Sequence, residues 1–136
     1  MIGLLFSCGT PRGLGVSPDG KLKSVPKSPN CVSSQAEPDD RTHYMPAWDY
    51  ADLNEAFKKI EQCIVNFGNT TIIKADSNYI HVVFVTGWMK WNDDVEFYFN
   101  ENSKQIHFRS ASRIGYSDHQ VNRKRMKRLK EMFYNQ

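Results

Sequence analysis

The sequence contains no long apolar run, few cysteines and no familiar catalytic motif, and each absence argues against a class of protein or of functional site. No stretch of about 18 or more apolar residues occurs, so no membrane-spanning helix is predicted. Three cysteines (Cys8, Cys31 and Cys63) lack metal-ligand spacing and cannot all pair within one molecule, which favours a reducing compartment such as the cytoplasm. Glycine-rich phosphate loops, nucleophile elbows and H-E-x-x-H are also absent. The sequence therefore predicts no cofactor and no metal site.

The first eight residues raise an alternative location. The segment Leu5-Phe6-Ser7-Cys8 resembles the lipid-attachment box of bacterial lipoproteins. The residues before this cysteine, however, contain neither a basic segment nor a full-length apolar one. A membrane-anchored lipoprotein, attached through Cys8 at residues 1–8, is therefore kept as the alternative to a cytoplasmic protein.

Composition indicates one folded domain with modest charge. Hydrophobic residues make up 40% and aromatic residues 12% of a 136-residue chain, which suits one core built around a sheet. The formal net charge is only +3, so attraction to nucleic acid or acidic lipid would depend on local clustering. Six Lys or Arg do cluster between positions 118 and 136. No zinc-finger, RNA-recognition or helix-turn-helix signature accompanies them, so nucleic acid is not the expected partner.

The chain divides into an irregular arm and a patterned domain. All six prolines lie within residues 9–46, so we predict a long irregular N-terminal arm over residues 1–46 and a single α+β domain over 47–136. Helical spacing predicts a first helix that Asp49 caps and Gly68 ends. A second helix is predicted from about 118 to 134, with Ser117 and Gln120 as a capping box.

Four β-rich segments separate these helices. They cover residues 70–75, 79–87, 94–100 and 105–112, with turn residues between them. Strands in direct succession predict an antiparallel meander, and amphipathic helices cover one face of such a sheet. We therefore expect an α+β fold with a four-stranded antiparallel meander, two helices packed on one face and the long irregular arm.

The last hairpin places charged side chains opposite one another. Its apolar residues alternate with polar ones, so the apolar set faces the helices. Pairing Phe99 with Ile106 puts Glu96 across from Arg109, and a slip of two residues puts Asp94 there instead. In either register Arg109 is expected to meet a carboxylate.

Polar side chains from three segments are predicted to form one pocket for a small anionic ligand. An arginine can hold a phosphate or carboxylate through two parallel hydrogen bonds, and the N-terminus of the second helix would add backbone N–H groups. In the alternative, purely structural interpretation, the arginines and carboxylates pair only with one another. The predicted ligand-binding residues are Asn30, Cys31, Ser33, Ser34, Asp93, Asp94, Glu96, Arg109, Ser110, Ser112, Arg113, Ser117 and Arg123.

Three functions are compatible with these features. The leading hypothesis is a non-enzymatic binding module whose Arg109, Arg113 and Arg123 face carboxylates around that pocket. The second is a hydrolase-like or thiol enzyme using Cys31 or a serine of the arm, although no histidine spacing requires it. The third is an interaction protein that presents its basic C-terminal helix to acidic partners or lipid head groups. The oligomeric state stays open.

Specific motifs resemble a known family. The segments SPNCVSSQA, DDVEFYF and IHFRSASRIGYSDHQVNRKRMKRL are similar to those of the bacterial and plastid family known as domain of unknown function 1499, over residues 24–133. The resemblance implies that arm, acidic strand and R-S-A-S segment belong together, but it brings no activity or cofactor. The matching positions are Ser28, Pro29, Asn30, Cys31, Ser33, Ser34, Asp93, Asp94, Glu96, Phe97, Arg109, Ser110, Ser112, Arg113, Gly115, Ser117, Asp118, Asn122, Arg123 and Arg125.

Two positions depart from the family pattern. Many relatives carry a cysteine where this chain has Val25, so an arm disulfide with Cys31 is not expected here. The glycine that precedes V-N-R in the family is replaced by Gln120, which a helix is expected to accept more readily. Because most shared positions are polar, the resemblance supports a shared polar network or pocket.

Overall fold

The computed structural model describes residues 9–117 and 119–136. The described residues form two helices and a six-stranded antiparallel sheet, which places the protein in the α+β class, as predicted. Neither described helix has the length and apolar character needed to cross a bilayer. The proposed anchor at Cys8 lies outside the described residues. In chain order the elements are β1 (Cys31–Ser33), β2 (Trp48–Asp49), α1 (Leu53–Phe67), β3 (Thr70–Asp76), β4 (Tyr79–Thr86), β5 (Trp91–Asn100), β6 (Gln105–Ser112) and α2 (Val121–Tyr134).

The sheet contains two more strands than predicted. Its order is β1-β6-β5-β4-β3, and β2 also pairs with β6. The four predicted strands correspond to β3 to β6, whereas β1 and β2 belong to the Pro-rich segment and the short stretch after it. β1 places Cys31 opposite Ala111 and Ser33 opposite Arg109, and β2 places Trp48 opposite Ile106. The arm is therefore partly a strand of the sheet.

The structure selects one of the two registers that the sequence left open for the β5–β6 hairpin. Phe99 pairs with Ile106, and Glu96 pairs with Arg109. On the apolar side, the aromatic side chains of β5 and β6 pack around Trp48, whose ring centroid lies 5.2 Å from Phe108. Each large side chain buried in this way contributes about 1.5–3 kcal/mol. The core also includes Ala56, Ile60 and Ile64 of α1, and Met126, Leu129 and Phe133 of α2.

Both helices begin later than the sequence predicted. The N-cap of α1 is Asp52, whose carboxylate accepts the Glu55 N–H at 2.9 Å, whereas Asp49 is held in β2. The second helix begins at Val121, and the predicted capping box does not form. Gln120 occupies the N-cap position in the left-handed conformation (φ 67°) and makes no side-chain capping bond. A capping box requires an extended N-cap residue, so this backbone prevents it.

Candidate functional site

The predicted pocket residues separate onto the two faces of the sheet. Side chains alternate along a strand, so the adjacent Asp93 and Asp94 point in opposite directions. Asp93 contacts Arg125 of α2, and Asp94 contacts Arg113 and is covered by the arm. The expected single cluster of arginines and carboxylates is therefore two networks, which we call the inner network and the outer network.

The inner network joins β5 to α2 through a buried ion pair. Arg125 donates to Asp93 Oδ2 at 2.5 Å and to Thr86 Oγ1 at 2.7 Å. Its other terminal nitrogen donates to Ser110 Oγ at 3.1 Å and to Asn122 Oδ1 at 2.8 Å. Asp93, Arg125 and Asn122 are all buried. A buried ion pair is stable only if its remaining polar atoms are hydrogen-bonded. The hydroxyl groups of Thr86 and Ser110 and the amide of Asn122 supply most of these hydrogen bonds.

Asn122 connects this network to the arm. Its amide nitrogen donates to the Asn30 carbonyl at 3.2 Å and to Ser112 Oγ at 3.0 Å. The Asn30 side chain in turn donates to the Gly115 carbonyl at 2.6 Å. The sequence-based site omitted Asn122 and Arg125, although both lie in the N-R-x-R part of the family motif. These contacts tie the arm, the sheet and α2 together, which is a structural role.

In the outer network, one carboxylate is bound by an arginine and a histidine. Arg113 binds Asp94 through both oxygens, with its Nε at 2.8 Å from Oδ2 and its Nη2 at 3.1 Å from Oδ1. His81 Nε2 lies 2.7 Å from Oδ1. Burial by itself would raise the pKa of Asp94, but the hydrogen bonds from His81 and Arg113 outweigh it and hold the pKa below its ordinary value. Asp94 is therefore an anion fixed in place by its neighbours.

Glu96 and Arg109 are opposite each other in the sheet but form no ion pair. Glu96 Oε2 accepts the Tyr79 hydroxyl at 2.5 Å and the Gly15 N–H at 2.6 Å, and Oε1 has no hydrogen-bond partner among the described residues. Burial, followed by the contact with Glu96, raises the pKa of Tyr79. The carboxylate is thus turned toward the arm, and the expected contact with Arg109 is not made.

Arg109 is the least satisfied cation of the outer network. It is only 6% exposed, its Nη2 donates to the Ser24 carbonyl at 3.2 Å, and its Nε has no partner within the described part of the chain. A guanidinium taken out of water without a carboxylate carries a desolvation cost of several kcal/mol. Arg109 is therefore the group in this layer that most needs an anion.

A cavity of about 360 Å³ lies between the arm and this face of the sheet. Lys23, Arg109 and Arg113 line it, and Asp94 is the one carboxylate among its described lining residues. Hydroxyl and amide donors come from Ser24, Ser28, Asn30 and Ser112. The cavity thus combines an excess of positive charge with several neutral donors, a set that suits a phosphate or carboxylate group.

Five of the predicted residues meet at this cavity. They are Asn30, Asp94, Arg109, Ser112 and Arg113. Sequence reasoning missed Lys23, Ser24 and Ser28, because nothing in an irregular segment shows which side chains it turns inward. Asp93 and Ser110 belong instead to the inner network, and Glu96 contacts the arm beside Gly15.

The remaining predicted residues lie elsewhere. Cys31 is fully buried in β1, and Ser33 accepts the Gln35 N–H at 3.0 Å. Arg123 donates to the carbonyl groups of residues 41, 42 and 44, so it holds the arm, and it pairs with no carboxylate in the part of the chain that the structure describes. Ser117 is exposed and lines two other cavities.

Among the described residues, Ser34 makes the one side-chain contact between a predicted nucleophile and a histidine. Its Oγ lies 3.1 Å from His107 Nδ1 and also accepts the Phe108 N–H at 2.9 Å. Burial, and to a lesser degree Lys21, lowers the pKa of His107. His107 is therefore neutral at pH 7. The hydrogen bond between Ser34 and Phe108 also joins the arm to β6.

Comparison with known proteins identifies a family. No curated protein and no solved structure matches the chain. A family model described as "Protein of unknown function (DUF1499)" matches residues 21–133, which is most of the chain. The matched range includes the charged side chains of both polar networks and most of the cavity lining, and it agrees with the resemblance carried by the three motifs. The chain therefore belongs to the DUF1499 family.

Proposed function

We propose that this protein binds a small anionic ligand in the cavity between its N-terminal arm and the β5–β6 hairpin. The observation that carries the proposal is Arg109, a buried guanidinium that lines the cavity and that, among the described residues, pairs with no carboxylate and has no partner for its Nε. A bound phosphate or carboxylate would supply the missing charge and hydrogen-bond acceptors.

The surroundings of Arg109 favour an anion over a cation. Asp94 is already engaged by Arg113 and His81, so it leaves little negative charge for a ligand cation. Lys23 is exposed at the cavity and donates to the Arg12 carbonyl at 2.8 Å. The volume lies near the lower end of the range for small-molecule sites, roughly 300–1,000 Å³, so a ligand of a few heavy atoms around one acidic group fits best.

Thermal unfolding in the presence of candidate anions tests this function. The probes are inorganic phosphate, pyrophosphate, acetate and citrate, each compared with sodium chloride at equal ionic strength. A ligand at about ten times its Kd stabilises the folded state by roughly 1.4 kcal/mol, which corresponds to a few degrees for a domain of this size. We expect at least one oxyanion to raise the midpoint by that amount, while chloride does not.

Charge variants locate the effect. Lys23→Gln changes an exposed lining residue, and Lys27→Gln is its matched control because Lys27 is exposed on the same arm without lining the cavity. Lys23→Gln should weaken anion binding several-fold, Arg109→Gln should abolish it, and Lys27→Gln should leave it unchanged. The proposal fails if no probe stabilises the parent protein, or if Lys23→Gln and a folded Arg109→Gln respond as the parent does.

A hydrolase-like enzyme is the second candidate, and the Ser34–His107 contact is the observation that favours it. The 3.1 Å separation is within reach for proton transfer to a neutral imidazole. An alkyl fluorophosphonate probe should then label the parent protein and not the Ser34→Ala variant. Equal labelling of the two proteins, or none of either, would remove this candidate. Cys31 offers no comparable observation, because it is fully buried.

A further inference from the structure

One end of the sheet carries a cluster of exposed apolar side chains. The β4–β5 turn and the loop after β6 lie at this end, since Asp93 pairs with Ser112 and the Arg113 N–H bonds the Asn92 carbonyl at 3.1 Å. Half of the exposed large apolar residues in the described chain occur here. We call them the aromatic tip: Trp88 (89% exposed), Met89 (50%), Trp91 (43%), Ile114 (47%) and Tyr116 (71%).

The β4–β5 turn is unusual for its side chains. Turn positions normally carry glycine, asparagine, aspartate, serine or proline, because these residues suit the backbone or hydrogen-bond to it. Here Gly87 and Lys90 supply the positive φ angles, at 71° and 55°, and Trp88 and Met89 occupy the positions between them. The core does not use either side chain, so packing within the domain does not explain them.

Basic residues border the aromatic tip. Lys90 lies in the turn itself, and Lys124 and Arg128 of α2 line a cavity together with Gly87. On the other side, Arg41 and Arg123 line a cavity with Ser117. Across the described residues that line the three cavities at this end, the one carboxylate is Asp93, which is buried against Arg125. Among the described residues, the exposed charge around the tip is therefore positive.

We propose that the aromatic tip inserts into the interface of an anionic lipid membrane, with the basic border lying against the head groups. Tryptophan and tyrosine concentrate at the head-group level of membranes because their rings have an apolar body and a polar edge. Lysine is depleted in protein–protein interfaces, whereas it is attracted to anionic lipid surfaces. Two tryptophans beside lysines therefore fit a membrane surface better than a protein partner.

Vesicle flotation tests this surface with the full-length protein. Phosphatidylcholine vesicles are compared with vesicles that also contain phosphatidylglycerol, at low and high salt. We expect binding to the anionic vesicles, a blue shift of tryptophan emission on binding, and release at high salt. Trp88→Ser should weaken partitioning about tenfold, since a large apolar side chain is lost. Lys90→Gln should weaken it about fivefold, from one fewer cation at the surface.

Matched controls come from the far end of α2. Tyr134→Ser removes an aromatic residue that is 48% exposed beside Asp49, and Lys130→Gln removes an exposed cation from the same helix. Neither should change partitioning. The proposal is overturned if the parent protein does not bind anionic vesicles at low salt, or if Trp88→Ser binds them as strongly as the parent does.

Two further outcomes would also overturn it. If Lys23→Gln abolishes vesicle binding and Trp88→Ser does not, lipid phosphate is binding in the arm cavity. If sedimentation equilibrium shows a dimer that Trp88→Ser dissociates, a second copy of the chain covers the tip. Stabilisation by phosphate is measured without vesicles. A negative result in vesicle flotation therefore does not bear on the proposed anion-binding function.

Discussion

Replacing Arg125 with methionine tests the inner network most directly. Methionine has similar length and helix propensity, but it removes every hydrogen-bond donor of the guanidinium. Asp93, at 2% exposure, would keep only the Thr86 hydroxyl at 3.1 Å. Ser110 and Asn122 would still bond to each other at 2.6 Å, so the main loss falls on the carboxylate.

The magnitude follows from leaving that carboxylate buried without its cation. Removing one partner of a buried ion pair costs about 3–5 kcal/mol. A domain of this length has a free energy of unfolding of roughly 7–20 kcal/mol, so Arg125→Met should fold but with much less stability. Adding Asp93→Asn removes the buried charge as well. The double variant should therefore lose less unfolding free energy than the sum of the two single losses, by about 1–3 kcal/mol.

Urea unfolding followed by circular dichroism measures these changes. Arg128→Met is the matched control, because Arg128 lies on the same helix with its side chain 65% exposed and only a 4.0 Å contact to Glu131. That variant should change stability by less than about 0.5 kcal/mol. The reasoning is refuted if Arg125→Met costs no more than Arg128→Met, or if the effects at Asp93 and Arg125 simply add.

Two further predictions concern acid stability and the start of α2. Because the pKa of Asp94 is lowered in the folded protein, its stabilising contribution is present above its ordinary value of 3.8 and is lost as pH falls through the lowered value. The stability gap between the parent and Arg113→Gln should therefore stay constant from neutral pH down to about pH 4 and shrink as the pH falls below 3.8 in urea titrations, and a gap that does not shrink there would contradict this. Gln120→Gly should be more stable than Gln120→Ala by about 1 kcal/mol, because both remove the side chain but only glycine accepts a φ of 67° without strain. Equal urea midpoints for these two variants would be evidence against a strained helix start.

The sequence predicted the elements whose side chains repeat with a clear period. Alternation along β5 and β6 gave the two strands and the face that each side chain occupies, although it left two registers open, and Gly68 marked the end of α1. The strands β1 and β2 have three and two residues, which is too short for a period to be visible. They form because β6 offers them backbone partners far along the chain. For the same reason Asp49, paired with Gln105, does not cap α1.

The helix start at Gln120 shows a different limit. Substitution of the family glycine looked favourable because a helix accepts glutamine better than glycine. The structure places this residue before the helix, where His119 and Gln120 both have left-handed backbone conformations. Glycine is the residue suited to that conformation, so the inference had the wrong sign. Propensity arguments depend on the helix boundary, and boundaries are the least certain part of a sequence-based prediction.

The sequence predicted five of the residues that line the candidate site, but not how the predicted residues are arranged. Strand alternation requires Asp93 and Asp94 to face opposite ways, yet their shared motif suggested one pocket. The pairing of Arg109 with a carboxylate failed for a further reason. An irregular arm packed on the sheet brings backbone groups that have no strand partners and must still be satisfied. The Gly15 N–H donates a hydrogen bond to Glu96, and Arg109 donates one to the Ser24 carbonyl. The packing of the arm, which could not be predicted, thus leaves Arg109 without a carboxylate partner among the described residues, and the proposed function depends on this.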